Sequence, residues 1–226
     1  MKRLILEQSG EEFYTSHSGL ALAGVCIDRY SDLGRHVGRV AKGSDHIAEI
    51  DILRSYLGLL CLGKCNYQAI AAMREDGYFK QARGIGRIPS AERLRQRLDE
   101  AGGDLVPVIN RSSRTMVKRL NAPISGYRNG LVPLDVDVFP QDNSNTKKED
   151  VSRTYKNYDG YAPMAAHLGM EGWCLEVELR PGNQHSQKGF VDFINRVLAG
   201  AKDLSKQSRS WFAPMQAMMP LRPWSP

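Results

Sequence analysis

Asp135 and Asp137 sit two positions apart in the segment LVPLDVDVF at 131–139. Val132, Leu134, Val136 and Val138 alternate there with polar or less buried types, so the segment predicts a half-buried strand with both carboxylates on one face. At the rise of an extended chain the two lie roughly 7 Å apart. Hard cations such as Mg²⁺ take one or two carboxylates and complete their shell with water and phosphate oxygens. Two such ions can activate a nucleophile and stabilise a leaving oxygen in phosphoryl transfer. The same pattern also fits the solvated face of an ordinary strand, and the pair alone leaves both readings open.

The chain is basic, with 31 Lys and Arg against 25 Asp and Glu, a formal charge of +6. An excess of that size suits a nucleic-acid partner without requiring one. Arg93, Arg95 and Arg97 lie in PSAERLRQRL at 89–98. Pro89 stops the preceding segment, Ser90 is a natural N-cap, and Leu94 and Leu98 share a face. Arg93 and Arg97 form a basic row with Arg95 on another side. The row fits either a solvated helix surface or contacts to DNA phosphates, which position a duplex without reading its sequence.

The elements around these residues change character once. Residues 1–128 read as mostly helical. Apolar residues at helical spacing fill 18–37, and Ser44 or Asp45 could cap a helix through Leu62. Asn66 could cap a short helix stopping near Gly77, and a separate helix is expected over 104–120. From Leu131 the period becomes two. Strands are expected over 132–138, 161–168 and 173–180, with a polar loop or hairpin tip over 141–157. Phe190, Phe193, Ile194, Val197 and Leu198 then mark an amphipathic helix over 186–204. The expected class is α/β.

Cys26, Cys61, Cys65 and Cys174 lack zinc-site spacing and read as buried free thiols of a reducing cytosol. No apolar run is long enough to span a membrane, and the N-terminus has no signal-peptide core.

Several motifs together resemble one family, the DDE-domain transposases of bacterial insertion sequences of the group 1 type. LDVD at 134–137 resembles the segment bearing the first acidic residue of the triad. KKE at 147–149, SRTYK at 152–156 and DGYAP at 159–163 resemble the block that follows. LRPGNQHS at 179–186 resembles a characteristic turn, and SGL at 18–20 and the 89–98 block extend the likeness over about 15–207. The resemblance implies a helical N-terminal, DNA-binding region over 1–128. After it comes an incomplete ribonuclease-H-like mixed sheet of three strands plus a helix over 129–207. It further implies Mg²⁺ or Mn²⁺, double-stranded DNA at element terminal repeats, a place in the bacterial cytoplasm at the nucleoid, and allows a homodimer. Asp137, near the strand end, is the favoured metal ligand and Asp135 the second candidate; Val138 stands where the family often has Ser or Thr. Lys147, Arg153 and Lys156 become candidates for DNA phosphates. Glu176 and Glu178 read as surface or sheet-face residues and not as the triad's glutamate, and His185 as a structural turn residue or a neighbour of the site.

Residues 208–226 follow neither period. A frame built from the last base of each codon and the first two of the next forces Val across Trp211–Phe212 and Ala across Met215–Gln216. It also forces Asp across Met218–Met219 and Ala across Met219–Pro220. That frame permits VRxDAGNDA, the pattern expected around the second aspartate of the triad. The tail is therefore expected to be out of frame. The chain would then be a truncated transposase, catalytically inactive or acting as a noncatalytic, inhibitory DNA-binding fragment, and its first strand would keep an open edge.

Overall fold

The computed structural model describes residue 10 and residues 14–40 and 47–205. Two compact units divide the chain, Met1–Met116 and Val117–Pro226. The division comes earlier than the 128/129 boundary expected from the sequence. Val117, Ala122, Ile124 and Val132 already belong to the core beneath the sheet, which draws them into the second unit.

The first unit is helical. Its elements are α1 (Gly19–Tyr30), α2 (Leu33–Val40), α3 (Glu49–Cys61), a 3-10 turn (Tyr67–Ala69) leading into α4 (Ile70–Met73), α5 (Gly77–Ala82) and α6 (Ala91–Arg119). Side-chain caps start three of them. Asn66 Oδ1 accepts the Ala69 N–H at 2.9 Å, Asp76 Oδ1 that of Phe79 at 3.0 Å, and Ser90 Oγ that of Arg93 at 3.2 Å. Each such cap satisfies a donor that the first turn leaves over. Ile52, Leu59, Ile70, Phe79 and Leu94 form the main core, and Leu33, Val37, Leu53 and Leu105 a second cluster. The expected caps Ser44 and Asp45 lie outside the described residues.

Two helices were expected across 90–120, and α6 is one. Gly102, Gly103 and Pro107 all disfavour a helix interior, and Pro107 also leaves the Gly103 carbonyl without its helical donor. The apolar stripe Leu94, Leu98, Ala101, Leu105 and Val108 nonetheless runs through them and is packed throughout. Packing of that stripe outweighs the local propensity.

The second unit holds β1 (Leu134–Val138), β2 (Gln141–Asp142), β3 (Ser152–Arg153), β4 (Asp159–Tyr161), β5 (Met164–Leu168), β6 (Trp173–Glu178) and α7 (Phe190–Ser205). β1, β5 and β6 form one sheet in the order β1-β5-β6, with antiparallel pairing throughout. α7 covers one face. Phe193, Val197, Ala201 and Leu204 meet Leu134, Met164, Ala166, Leu168 and Leu175 in a single core. Three strands followed by a covering helix give the expected α/β class and are consistent with an incomplete ribonuclease-H-like fold. The strand expected over 161–168 is split. Ala162 and Pro163 separate β4 from β5, and β4 joins a second small sheet, β2-β4-β3. The region expected to be a polar loop or tip thus has its own ladder.

Candidate metal and nucleic-acid site

β1 sorts its residues as its alternation requires. Leu134 is buried and Val136 and Val138 pack against the core, whereas Asp135 and Asp137 are exposed on the opposite face. Across the ladder His167 pairs with Asp135 and Ala165 with Asp137. Directly opposed residues share a face, so His167 stands on the acidic side. Asp137 Oδ1 accepts the N–H of Val138 at 2.8 Å, which fixes one carboxylate oxygen. Among the described residues β1 pairs only with β5.

A hairpin brings further groups to the C-terminal end of β1. β3 and β4 are joined through Thr154 and Tyr158 by a three-residue loop, Tyr155, Lys156 and Asn157. Thr154 donates its N–H and its hydroxyl to the Tyr158 carbonyl at 2.9 and 2.8 Å, and Asn157 N–H donates to the Thr154 carbonyl at 3.0 Å. Asn157 has φ 66°, the left-handed position that closes such loops and that Asn tolerates well. Tyr158 Oη donates to the Pro140 carbonyl at 2.9 Å, tying the loop to the residue that ends β1. Tyr155 Oη lies 3.5 Å from the Val138 carbonyl. Burial, then the neighbouring Asp137 charge and Tyr158, push the Tyr155 phenol above its ordinary value. Lys156 Nζ stands 5.5 Å from the centre of the Tyr155 ring.

Two glycines make this packing possible. A Cβ on Gly160 would lie 1.9 Å from the Gln141 carbonyl oxygen, so only glycine lets β2 close on β4. A Cβ on Gly182 would lie 2.1 Å from the Ser152 carbonyl oxygen, under the same hairpin. The DGY and RPGN sequences therefore contribute close backbone approach. Beside them Arg180 is 2 % exposed, with Nε on Glu178 at 2.7 Å and its guanidinium 5.7 Å from the Phe193 ring centre. Arg196 bonds both Glu176 and Glu178. Both glutamates are therefore ion-pair partners, and Glu176 is buried. His185 Nδ1 accepts the Gln187 N–H at 3.3 Å within its turn.

The other candidates divide by place. Lys147, Arg153 and Lys156 are all exposed, in or beside the β2-β4-β3 sheet, and Arg153 is 3.8 Å from Asp159. In the first unit Arg93 is half-buried and bonds Gln96. Arg95 is exposed but held between Glu92 at 2.6 Å and Asp99 at 2.9 Å. Arg97 departs from the sequence-based expectation. It is 6 % exposed and paired with the buried Glu49, because α3 packs on the side of α6 that carries it. A duplex does not reach a guanidinium placed there. The cysteines also differ: Cys61 and Cys65 are exposed rather than buried, and none of the four forms a disulfide. Tyr155 lies in the SRTYK motif, which by itself assigns it no role.

Among the described residues no group of three or more His, Cys, Asp or Glu side chains could hold a metal ion. Asp137, with Asp135 on the same face, fits one part of a Mg²⁺ shell, in which water and phosphate oxygens supply the rest. No helix among the described residues is long and apolar enough to cross a membrane.

The exposed Asp135–Asp137 face of β1 and the exposed Lys147, Arg153 and Lys156 thus lie in one α/β unit. The chain matches the family model described as Transposase DDE domain group 1 over residues 2–212, and it belongs to that family of DDE transposases. No match is found among curated proteins or among solved structures.

Proposed function

We propose that this chain binds the double-stranded DNA ends of a bacterial insertion sequence and does not cut them by itself. The observation that carries the reading is the exposed Asp135–Asp137 face of β1, whose C-terminal end lies against a hairpin bearing Arg153 and Lys156, with the exposed Lys147 in the segment leading into it. Asp137 would hold Mg²⁺ or Mn²⁺ against a backbone phosphate, with Asp135 as the second carboxylate on that face. The ion, when bound, polarises a phosphoryl oxygen. Lys147, Arg153 and Lys156 hold flanking phosphates, and Arg93 and Arg95 offer further contacts from the first unit. Arg97 is left out of this set by its burial.

Strand transfer by the intact family needs carboxylates beyond these, and among the described residues no group of three or more His, Cys, Asp or Glu side chains could hold a metal ion. The out-of-frame reading of residues 208–226 points the same way. Sequencing the gene beyond the Pro226 codon tests it: no transposase-like sequence in another frame would overturn the frameshift.

A second reading, a transposase that cuts, rests on the family itself. One experiment separates the two. Mobility shift with duplexes carrying the element's terminal repeats is run beside a cleavage assay in Mg²⁺. Binding without cleavage supports the binding fragment, and nicking at the repeat ends supports the transposase. Neither activity leaves both readings without support.

A further inference from the structure

The loop Tyr155, Lys156 and Asn157 places an exposed aromatic ring beside the C-terminal end of β1. Tyr155 is 47 % exposed although its loop is closed by three hydrogen bonds and carries Asn157 in the left-handed conformation. A ring on a flexible loop loses much of its stacking energy to ordering, whereas a ring on a closed hairpin does not. At 3.5 Å the contact of the Tyr155 hydroxyl with the Val138 carbonyl is longer than a good hydroxyl bond, and Tyr158 makes the shorter one at 2.9 Å. Lys156 sits 5.5 Å from the ring centre, so aromatic face and cation are presented together. That combination binds single-stranded nucleic acid, because every base has a face to stack and every nucleotide a phosphate to neutralise.

We propose that Tyr155 and Lys156 form a platform for an unpaired nucleobase at the end of the DNA strand, beside the phosphate held at Asp137. The proposal rests on the DNA-binding reading and deepens it. Tyr155 takes the base and Lys156 the phosphate next to it. The platform prefers a frayed or single-stranded terminus to a blunt one.

The test uses the full chain and two duplexes of one sequence. One is blunt, and the other ends in a short single-stranded overhang containing 2-aminopurine. The wild-type chain is expected to prefer the overhang about tenfold, within the range for one stacked base, and to quench 2-aminopurine on binding. Tyr155→Phe should keep the preference and the quenching. Tyr155→Leu, which keeps apolar bulk without a ring, should lose both, as should Tyr155→Ala. Equal preference in wild type and Tyr155→Leu, or quenching that persists in Tyr155→Leu, overturns the platform. Binding of the wild type to blunt duplex with no overhang preference also overturns it, yet leaves the DNA-binding reading standing. Failure of the wild type to bind either duplex overturns both.

Discussion

The contact between Arg97 and Glu49 separates an interior strut from a phosphate contact. Both side chains are almost fully buried, at 7 % and 4 % exposure, and they lie 48 positions apart in the chain, on α6 and α3. Arg97→Met keeps bulk and leaves the Glu49 carboxylate buried without its cation. Removing one partner of a buried pair costs about 3–5 kcal/mol. For a unit of this size each kcal/mol moves the midpoint by about 4–8 °C, so Tm of the first unit should fall by roughly 12–40 °C. Arg97→Met with Glu49→Leu removes both charges and should recover most of that loss, because a well-packed apolar pair is often as stable as a buried ion pair. Thermal unfolding of the full chain by circular dichroism reads the two variants. The salt dependence of DNA binding, measured below the transition, should match wild type in the double variant. A single Arg97→Met variant that melts with wild type but binds DNA more weakly would refute the reasoning and return Arg97 to the surface.

Three further outcomes follow from the geometry. Replacing Lys147, Arg153 or Lys156 by Ala should each lower the slope of log K against log salt by about 0.9, the value for one phosphate contact on B-DNA; an unchanged slope removes that residue from the interface. Gly160→Ala should force β2 away from β4, since its Cβ would come within 1.9 Å of the Gln141 carbonyl oxygen. Amide hydrogen exchange should then rise across β2, β3 and β4 while the β5–β6 amides stay protected, and an unaltered pattern would count against the close approach. Asp32 gives a pH test. Burial raises its carboxyl, but the Ser112 hydroxyl, His36 and Arg111 together hold it below its ordinary 3.8. A depressed carboxyl contributes stability that is complete above its unfolded value and is lost as pH falls through the folded one. Asp32→Asn should therefore be less stable at neutral pH and show a flatter acid limb in urea titrations below about pH 4. Parallel acid limbs in the two proteins would contradict this.

The alternation of LDVDV was enough to put Asp135 and Asp137 on the exposed face, and the apolar spacing of 190–198 was enough to place α7. Both signals are local, since the period of a segment decides which side chains share a face. What covers each face is nonlocal. Nothing in RLRQR distinguishes the arginine that meets Glu49 from those that meet solvent, because Glu49 arrives from another helix. The continuity of α6 through two glycines and a proline likewise depends on packing by residues far away in the chain. Tyr155 belongs to the SRTYK motif, but its position beside Val138 comes from the hairpin fold and the Tyr158–Pro140 bond, neither of which the motif carries. The small β2-β4-β3 sheet was hidden for a related reason: strands of two or three residues are too short to show a period.

If Asp137 holds a divalent ion against a DNA phosphate, Mn²⁺ should reveal it through paramagnetic broadening of the amide resonances of the full chain bound to duplex DNA. The resonances of Asp137, Val138 and Ala165 should broaden first, and only when DNA is present. Asp137→Asn should abolish that broadening while the duplex stays bound. Broadening centred elsewhere, or the same pattern in Asp137→Asn, would contradict a metal-binding role for this strand.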